Sequence, residues 1–211
     1  MAQKKLGMLI YDEVEVLDVG GPYEVFSVAR LDEETRRSEP SPFDISLLSQ
    51  FDRPVVASGG MKLLPDATLD DCPPLDVLMV PGGLGTRWEI HNEVLLGFIR
   101  QQAQQVELLA AVCTGALILG SAGLLDGRTA TTHWHSLQLM KELFPSVDVD
   151  PCARVVRDGR IMTCAGISAG IDLSLEVLAL YYGDEVAGFT ANYMEYPYPV
   201  DRSPGGYGSM G

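Results

Sequence analysis

Positive charge is scarce in this chain of 211 residues: Lys and Arg total 15 against 29 Asp and Glu, a net charge of −14. A phosphate backbone or an anionic lipid surface repels such a chain, so no nucleic-acid partner and no membrane partner is expected. Histidine is scarcer still, with His91, His133 and His135 only. Cysteine is limited to Cys72, Cys113, Cys152 and Cys164, whose spacings match no zinc pattern. No metal site is read from them, and a reduced, cytoplasmic setting is the expectation. Long apolar runs are missing too. The longest uncharged stretch, LLAAVCTGALILGSAGLL from Leu108 to Leu125, is marginal for a bilayer span and is broken by Gly, Thr and Ser. It reads as a buried strand followed by a buried helix. The run from Leu6 to Tyr11 is too short for a signal peptide and reads as a first buried strand. The glycines show neither GxGxxG nor P-loop spacing, so no nucleotide site is indicated.

What is present is an ordinary globular composition, 46% hydrophobic and 21% charged. At roughly 150 residues per domain the length predicts a single domain, taken as residues 1–199. An irregular tail rich in Pro, Gly and Tyr follows at 200–211. A chain of this size buries about 70% of its unfolded surface and needs no disulfide or metal staple. KLGMLIY, FDISLLS, DVLMV and VELLAAV read as strands. DVGGPYEVFSVARL, EVLLGFIRQQAQQ, CTGALILGSAGLL, HSLQLMKELF, SAGIDLSLEVLALYYG and DEVAGFTANYME read as helices. PVVAS and MKLLP are short strands around Ser58-Gly59-Gly60, and RVVRDGRIMTCA is a hairpin with Asp158-Gly159 at its turn. Strands alternating with helices predict an α/β fold, a doubly wound, mostly parallel sheet with helices on both faces. Sites in such sheets lie at the carboxyl ends of the strands. That gathers three turns: around Asp18, at Pro81-Gly82-Gly83-Leu84, and at Cys113-Thr114-Gly115.

Cys113 is the strongest chemical signal, placed where a buried strand turns into a helix, with Gly115 giving room. This has the shape of a nucleophile elbow, and the first amides of the helix are expected to lower the thiol pKa. A buried core cysteine is the other reading. Asp18, in VLDVGGP, is either a helix N-cap or a carboxylic acid held protonated beside Cys113. His133 either faces the same cleft or is a satisfied structural histidine, and His91 reads as solvated. The Gly83 and Thr114 amides are candidates for binding developing negative charge, a plain turn being the alternative.

The segments VLDVGGPYEVF, DVLMVPGGLG, AAVCTGALILGSAGLLDGRTATTHW and GISAGIDLSLEVLA resemble the ThiJ/PfpI family, which is related to class I glutamine amidotransferases. The resemblance runs from about Lys5 to Pro199. LDVGGP, VCTG, CPPLDV, FIRQQA, RVVRDG and GISAGID place the chain nearest the isonitrile-hydrating branch. It implies a flavodoxin-like core, a homodimer, Cys113 as nucleophile, Asp18 as acid-base partner, and Thr114 as a neighbour supporting both. Peptidase-like members carry His directly after the nucleophile, where this chain has Thr114.

The implied reaction is attack of Cys113 on an isonitrile carbon with proton delivery from Asp18, followed by hydrolysis of the thioimidate to an N-substituted formamide. It requires no metal or organic cofactor. Gly83, Leu84, Gly166 and Ile167 are the expected substrate-binding residues. Two alternatives stand: another cysteine enzyme of the family, amidase or glyoxalase-like, with His133 as base, or a small-molecule-sensing domain. Cys113 is expected to react with a thiol reagent before the other three cysteines.

Overall fold

In the computed structural model, residues 2–198 are described; the tail read at 200–211 lies outside them, as does Pro199. A seven-stranded sheet forms the centre, in the order β10-β11-β7-β6-β1-β2-β5. Its strands are β1 (Lys4–Leu9), β2 (Phe43–Ser49), β5 (Ala67–Thr68), β6 (Val77–Val80), β7 (Leu108–Val112), β10 (Val155–Asp158) and β11 (Ile161–Cys164). All neighbours run parallel except the β10–β11 hairpin at one edge. Two small ribbons complete the strands: β3 (Val55–Val56) with β4 (Lys62–Leu63), and β8 (Thr129–Ala130) with β9 (Asp148–Val149). Every residue of β6, β7 and β11 is buried. This is why VLMV and LLAAV are unbroken apolar runs: helices cover both of their faces.

Helices α1 (Val16–Val28), α6 (Ala169–Tyr182) and α7 (Asp184–Tyr193) pack together as one layer. The other layer is α2 (Thr86–Glu89), α3 (Glu93–Gln102) and α4 (Gly115–Ser121); α5 (Leu137–Leu143) packs by β9. Leu78, Leu108 and Leu109 lie between the layers with 0–2% exposure, each contributing about 1.5–3 kcal/mol by burial.

Two predicted boundaries are corrected. The helix after Cys113 stops at Ser121 rather than reaching Leu125. Gly123 takes φ +75, and the Leu124 amide donates to Leu119 O at 3.0 Å, so a glycine cap ends it. In the hairpin, Asp158 pairs with Ile161, leaving Gly159-Arg160 as the two-residue turn. Gly159, at φ +63, supplies the left-handed residue that such a turn requires.

The chain runs outward from β1 to β2 and β5, then returns to β6, β7 and β11 on the other side. The strand order therefore reverses between β1 and β6, and the carboxyl ends of β1, β6 and β7 form the crevice at that switch point. Among the described residues no helix is long and apolar enough to cross a membrane.

Candidate active site

The turns after β6 and β7 touch because two glycines leave no side chain between them. A Cβ on Gly115 would sit 2.1 Å from Val80 O, and one on Gly82 would sit 2.6 Å from the Thr114 nitrogen and 2.9 Å from Asp18 Oδ2. Pro81 and Gly82 are held by Tyr11, whose buried hydroxyl donates to Pro81 O at 2.5 Å. Cys113 follows β7 directly and has φ +57, a left-handed backbone on a non-glycine residue. Its amide donates to Cys164 O at 3.2 Å, and Thr132 Oγ1 donates to its carbonyl at 2.9 Å. The ATTHW stretch thus clamps the elbow from outside the sheet.

Asp18 is the third residue of α1, and the N-cap position belongs to Glu15. The cap reading of Asp18 is corrected: its Oδ2 accepts the Gly82 amide at 2.9 Å instead. Oδ1 is buried without a hydrogen-bond partner, and the carboxyl interacts with the Cys113 thiol. Only 2% of Asp18 is exposed. Burial lifts its pKa to about 7; the nearby Glu15 charge adds to the rise, while the Gly82 amide opposes it.

The same burial overturns the expected low-pKa thiol. Cys113 is 5% exposed. Burial, then the Asp18 charge, pushes its thiol up to about 12, outweighing the Thr114 and Ile167 amides that point at the sulfur. At rest Cys113 is therefore a thiol with a carboxyl beside it. Above pH 7 the pair holds one proton between them. Of the four cysteines Cys152 is exposed, Cys72 intermediate, and Cys113 and Cys164 buried.

The pair of anion-binding amides is also corrected. The Gly83 amide is spent on Thr114 Oγ1 at 2.9 Å, whereas the Thr114 and Ile167 amides face the sulfur. Ile167 reaches this position at φ +53, a costly conformation for a β-branched residue. Thr114 thereby joins the elbow to the Pro-Gly-Gly turn.

Over the sulfur lies a cavity of about 430 Å³ bordered by Gly83, Leu84, Cys113, Thr114, His133 and Ile167. Asp18 lies beneath Cys113 and does not border it. Gly166 does not border it either: a Cβ there would lie 1.9 Å from His133 Cδ2, so this glycine makes room for the imidazole. His133 Nδ1 accepts the His135 amide at 3.3 Å, and burial lowers its pKa, keeping the ring neutral. His91 is exposed, as read.

Sequence reasoning missed Glu15, Arg87, His135 and Ser136, which also line the cavity. Arg87 and Glu15 lie within a few residues of the two N-terminal turns, so counting one helical turn along each would have found them. Among the described residues no cluster of His, Cys, Asp or Glu could hold a metal ion.

An isonitrile hydratase of Pseudomonas putida is 39% identical over 193 residues, 91% of this chain and 78% of that protein. The HTH-type transcriptional regulator GbdR of Pseudomonas aeruginosa is 30% identical over 92% of this chain and 51% of its own, so the chain spans about half of that regulator. A solved ThiJ/PfpI family protein from Pseudomonas syringae superposes with a TM-score of 0.81 at 31% identity, covering 97% of this chain and 80% of that one. Drosophila melanogaster DJ-1beta, at 20% identity over 93% of this chain and 100% of its own, shares the fold with a TM-score of 0.77. The model of the DJ-1/PfpI family matches residues 4–180, from the first strand of the sheet through the cysteine elbow to the long helix behind it, and the chain belongs to that family.

Proposed function

We propose that this chain hydrates isonitriles to N-substituted formamides, as a homodimer acting on a small molecule without a cofactor. The observation that carries the reading is the buried pair of Cys113, which borders an open cavity, and Asp18, whose carboxyl interacts with the thiol from behind the cavity wall. An isonitrile carbon needs both a nucleophile and a proton at one atom, and this pair supplies both. Asp18 takes the thiol proton as sulfur bonds to the carbon, then gives it to that carbon. The product is a thioimidate, R–N=CH–S–Cys113. Asp18, again a carboxylate, accepts a proton from water as the hydroxide adds to the same carbon, and passes it to nitrogen. Collapse of the adduct breaks the C–S bond, releases the formamide, and returns a proton to sulfur. One carboxyl serves both halves as acid and base. The Thr114 and Ile167 amides hold the sulfur and whatever charge develops beside it.

The 39% identity to an isonitrile hydratase supports this reading. A second reading rests on His133, a neutral imidazole at the cavity wall suited to act as a base in a glyoxalase-like reaction. Purified protein assayed on phenyl isonitrile and on methylglyoxal separates the two. Formanilide formation that disappears in Cys113→Ala is expected, with a Cys113 adduct of the isonitrile's mass in quenched samples. Lactate formation without formanilide would select the second reading. Turnover of neither compound, with saturable binding of small molecules, would point to a sensing domain like part of the GbdR regulator.

A further inference from the structure

The cavity above Cys113 is electrically lopsided. Glu15 and Arg87 both line it. Glu15 stands at the inner end, beside Asp18: its amide donates to Gly82 O at 3.0 Å, and the Asp18 amide donates to its carbonyl at 3.2 Å. Arg87 lies in the short helix Thr86–Glu89 that follows exposed Leu84, and its own exposure sets it toward the rim. Arg87 is exposed, and its guanidinium makes no hydrogen bond or ion pair among the described residues. That is unusual in a chain of net charge −14. Apart from Arg37, every other described arginine holds a carboxylate or a backbone carbonyl. Ser136, which also lines the cavity, has a hydroxyl without a hydrogen-bond partner among the described residues.

We propose that Arg87, with the Ser136 hydroxyl, is a specificity anchor for an anionic group, a carboxylate, at the end of the substrate remote from the reacting carbon. The guanidinium fork matches a carboxylate bidentately, and among the described residues none holds it by a hydrogen bond or ion pair. Glu15 repels the same group from the inner end, so attraction at the rim and repulsion at the floor admit the substrate isonitrile-first. The substrate class is an isonitrile carrying a carboxylate several bonds away, as in 4-isocyanobenzoate. This inference rests on the hydratase reading for the reacting group, but the anion anchor can be tested without it.

Two measurements separate the claims. In the first, Cys113→Ser protein is titrated with 4-formamidobenzoate and with formanilide, following the fluorescence of Trp88, which adjoins Arg87 in the sequence. The carboxylate is expected to bind roughly tenfold tighter, as a charged hydrogen-bonded contact at a partly wet rim allows. The preference should shrink with added salt, fall to near one in Arg87→Gln, and persist in Arg37→Gln. Equal binding of both probes, or a preference that survives Arg87→Gln, overturns the anchor. The second measurement compares kcat and KM for 4-isocyanobenzoate and phenyl isonitrile. Discrimination should lie in KM, because the contact exists before and during the reaction alike. Carboxylate-selective binding without turnover of either isonitrile would discard the hydratase reading and leave the anchor standing.

Discussion

At the residue scale, the chemistry depends on where one proton sits. Asp18 has a pKa near 7 and Cys113 near 12, so above pH 7 the pair carries one proton and below it two. The doubly protonated pair has no base to take the thiol hydrogen. The pH profile of kcat/KM for isonitrile hydration is therefore expected to rise through about 7 to a plateau, and a flat profile from pH 5 to 9 would remove Asp18 from the proton path. The same shift bears on stability. Burial raises the carboxyl from its ordinary 3.8. Its neutral form is the one the fold accepts, so that contribution is complete below about pH 4 and lost as pH climbs through 7. Asp18→Asn is thus expected to abolish most turnover yet to unfold later than wild type at pH 8, by on the order of 1–4 kcal/mol. A melting temperature that falls at pH 8 would reassign Asp18 to a structural role. Thiol labelling reads the other partner: a stoichiometric maleimide should modify exposed Cys152 first, and the buried Cys113 and Cys164 last.

At the scale of elements, the site is a contact between two turns. Gly115→Ala would push a methyl into Val80 O, a backbone atom that moves only if β6 moves. A loss of about 3 kcal/mol or more in chemical denaturation is expected, with activity falling alongside. Ile167→Gly should act oppositely on stability, relieving left-handed strain by about 1 kcal/mol. The parallel strands and long helices were legible because burial on both faces leaves unbroken apolar runs, as in LLAAV, and Gly-Gly marks the turn after VLMV. Two-residue strands such as Ala67–Thr68 and the single turn Thr86–Glu89 carry too few side chains to impose a period. Cys113, Asp18 and Thr114 were legible as neighbours from topology. The direction of the Cys113 shift was not, because sequence displays the helix start that lowers a thiol pKa but hides the burial that raises it. The commitment of the Gly83 amide to Thr114 was hidden too, since hydrogen-bond partners across a crevice leave no mark along the chain.

At the scale of the whole molecule, charge is the remaining force. Ion pairs such as Lys5–Asp44 and Arg100–Glu93 lie at the surface, where water and salt leave such pairs little net effect on stability. They are opposed by the mutual repulsion of a net charge of −14, which acts over the whole surface and weakens the compact state. Salt screens both, but the pairs are few and local whereas the repulsion sums over many unpaired carboxylates. With a Debye length near 30 Å at 0.01 M and 10 Å at 0.1 M, added salt removes the long-range repulsion first. The melting temperature at pH 8 is therefore expected to rise between 0.01 M and 0.3 M NaCl, by about 2–4 °C for each kcal/mol of repulsion relieved. The same excess charge should keep this domain off a 20-base-pair duplex even at the lowest salt. A melting temperature that falls with salt would mean that the surface pairs, not the net charge, govern the stability of the domain.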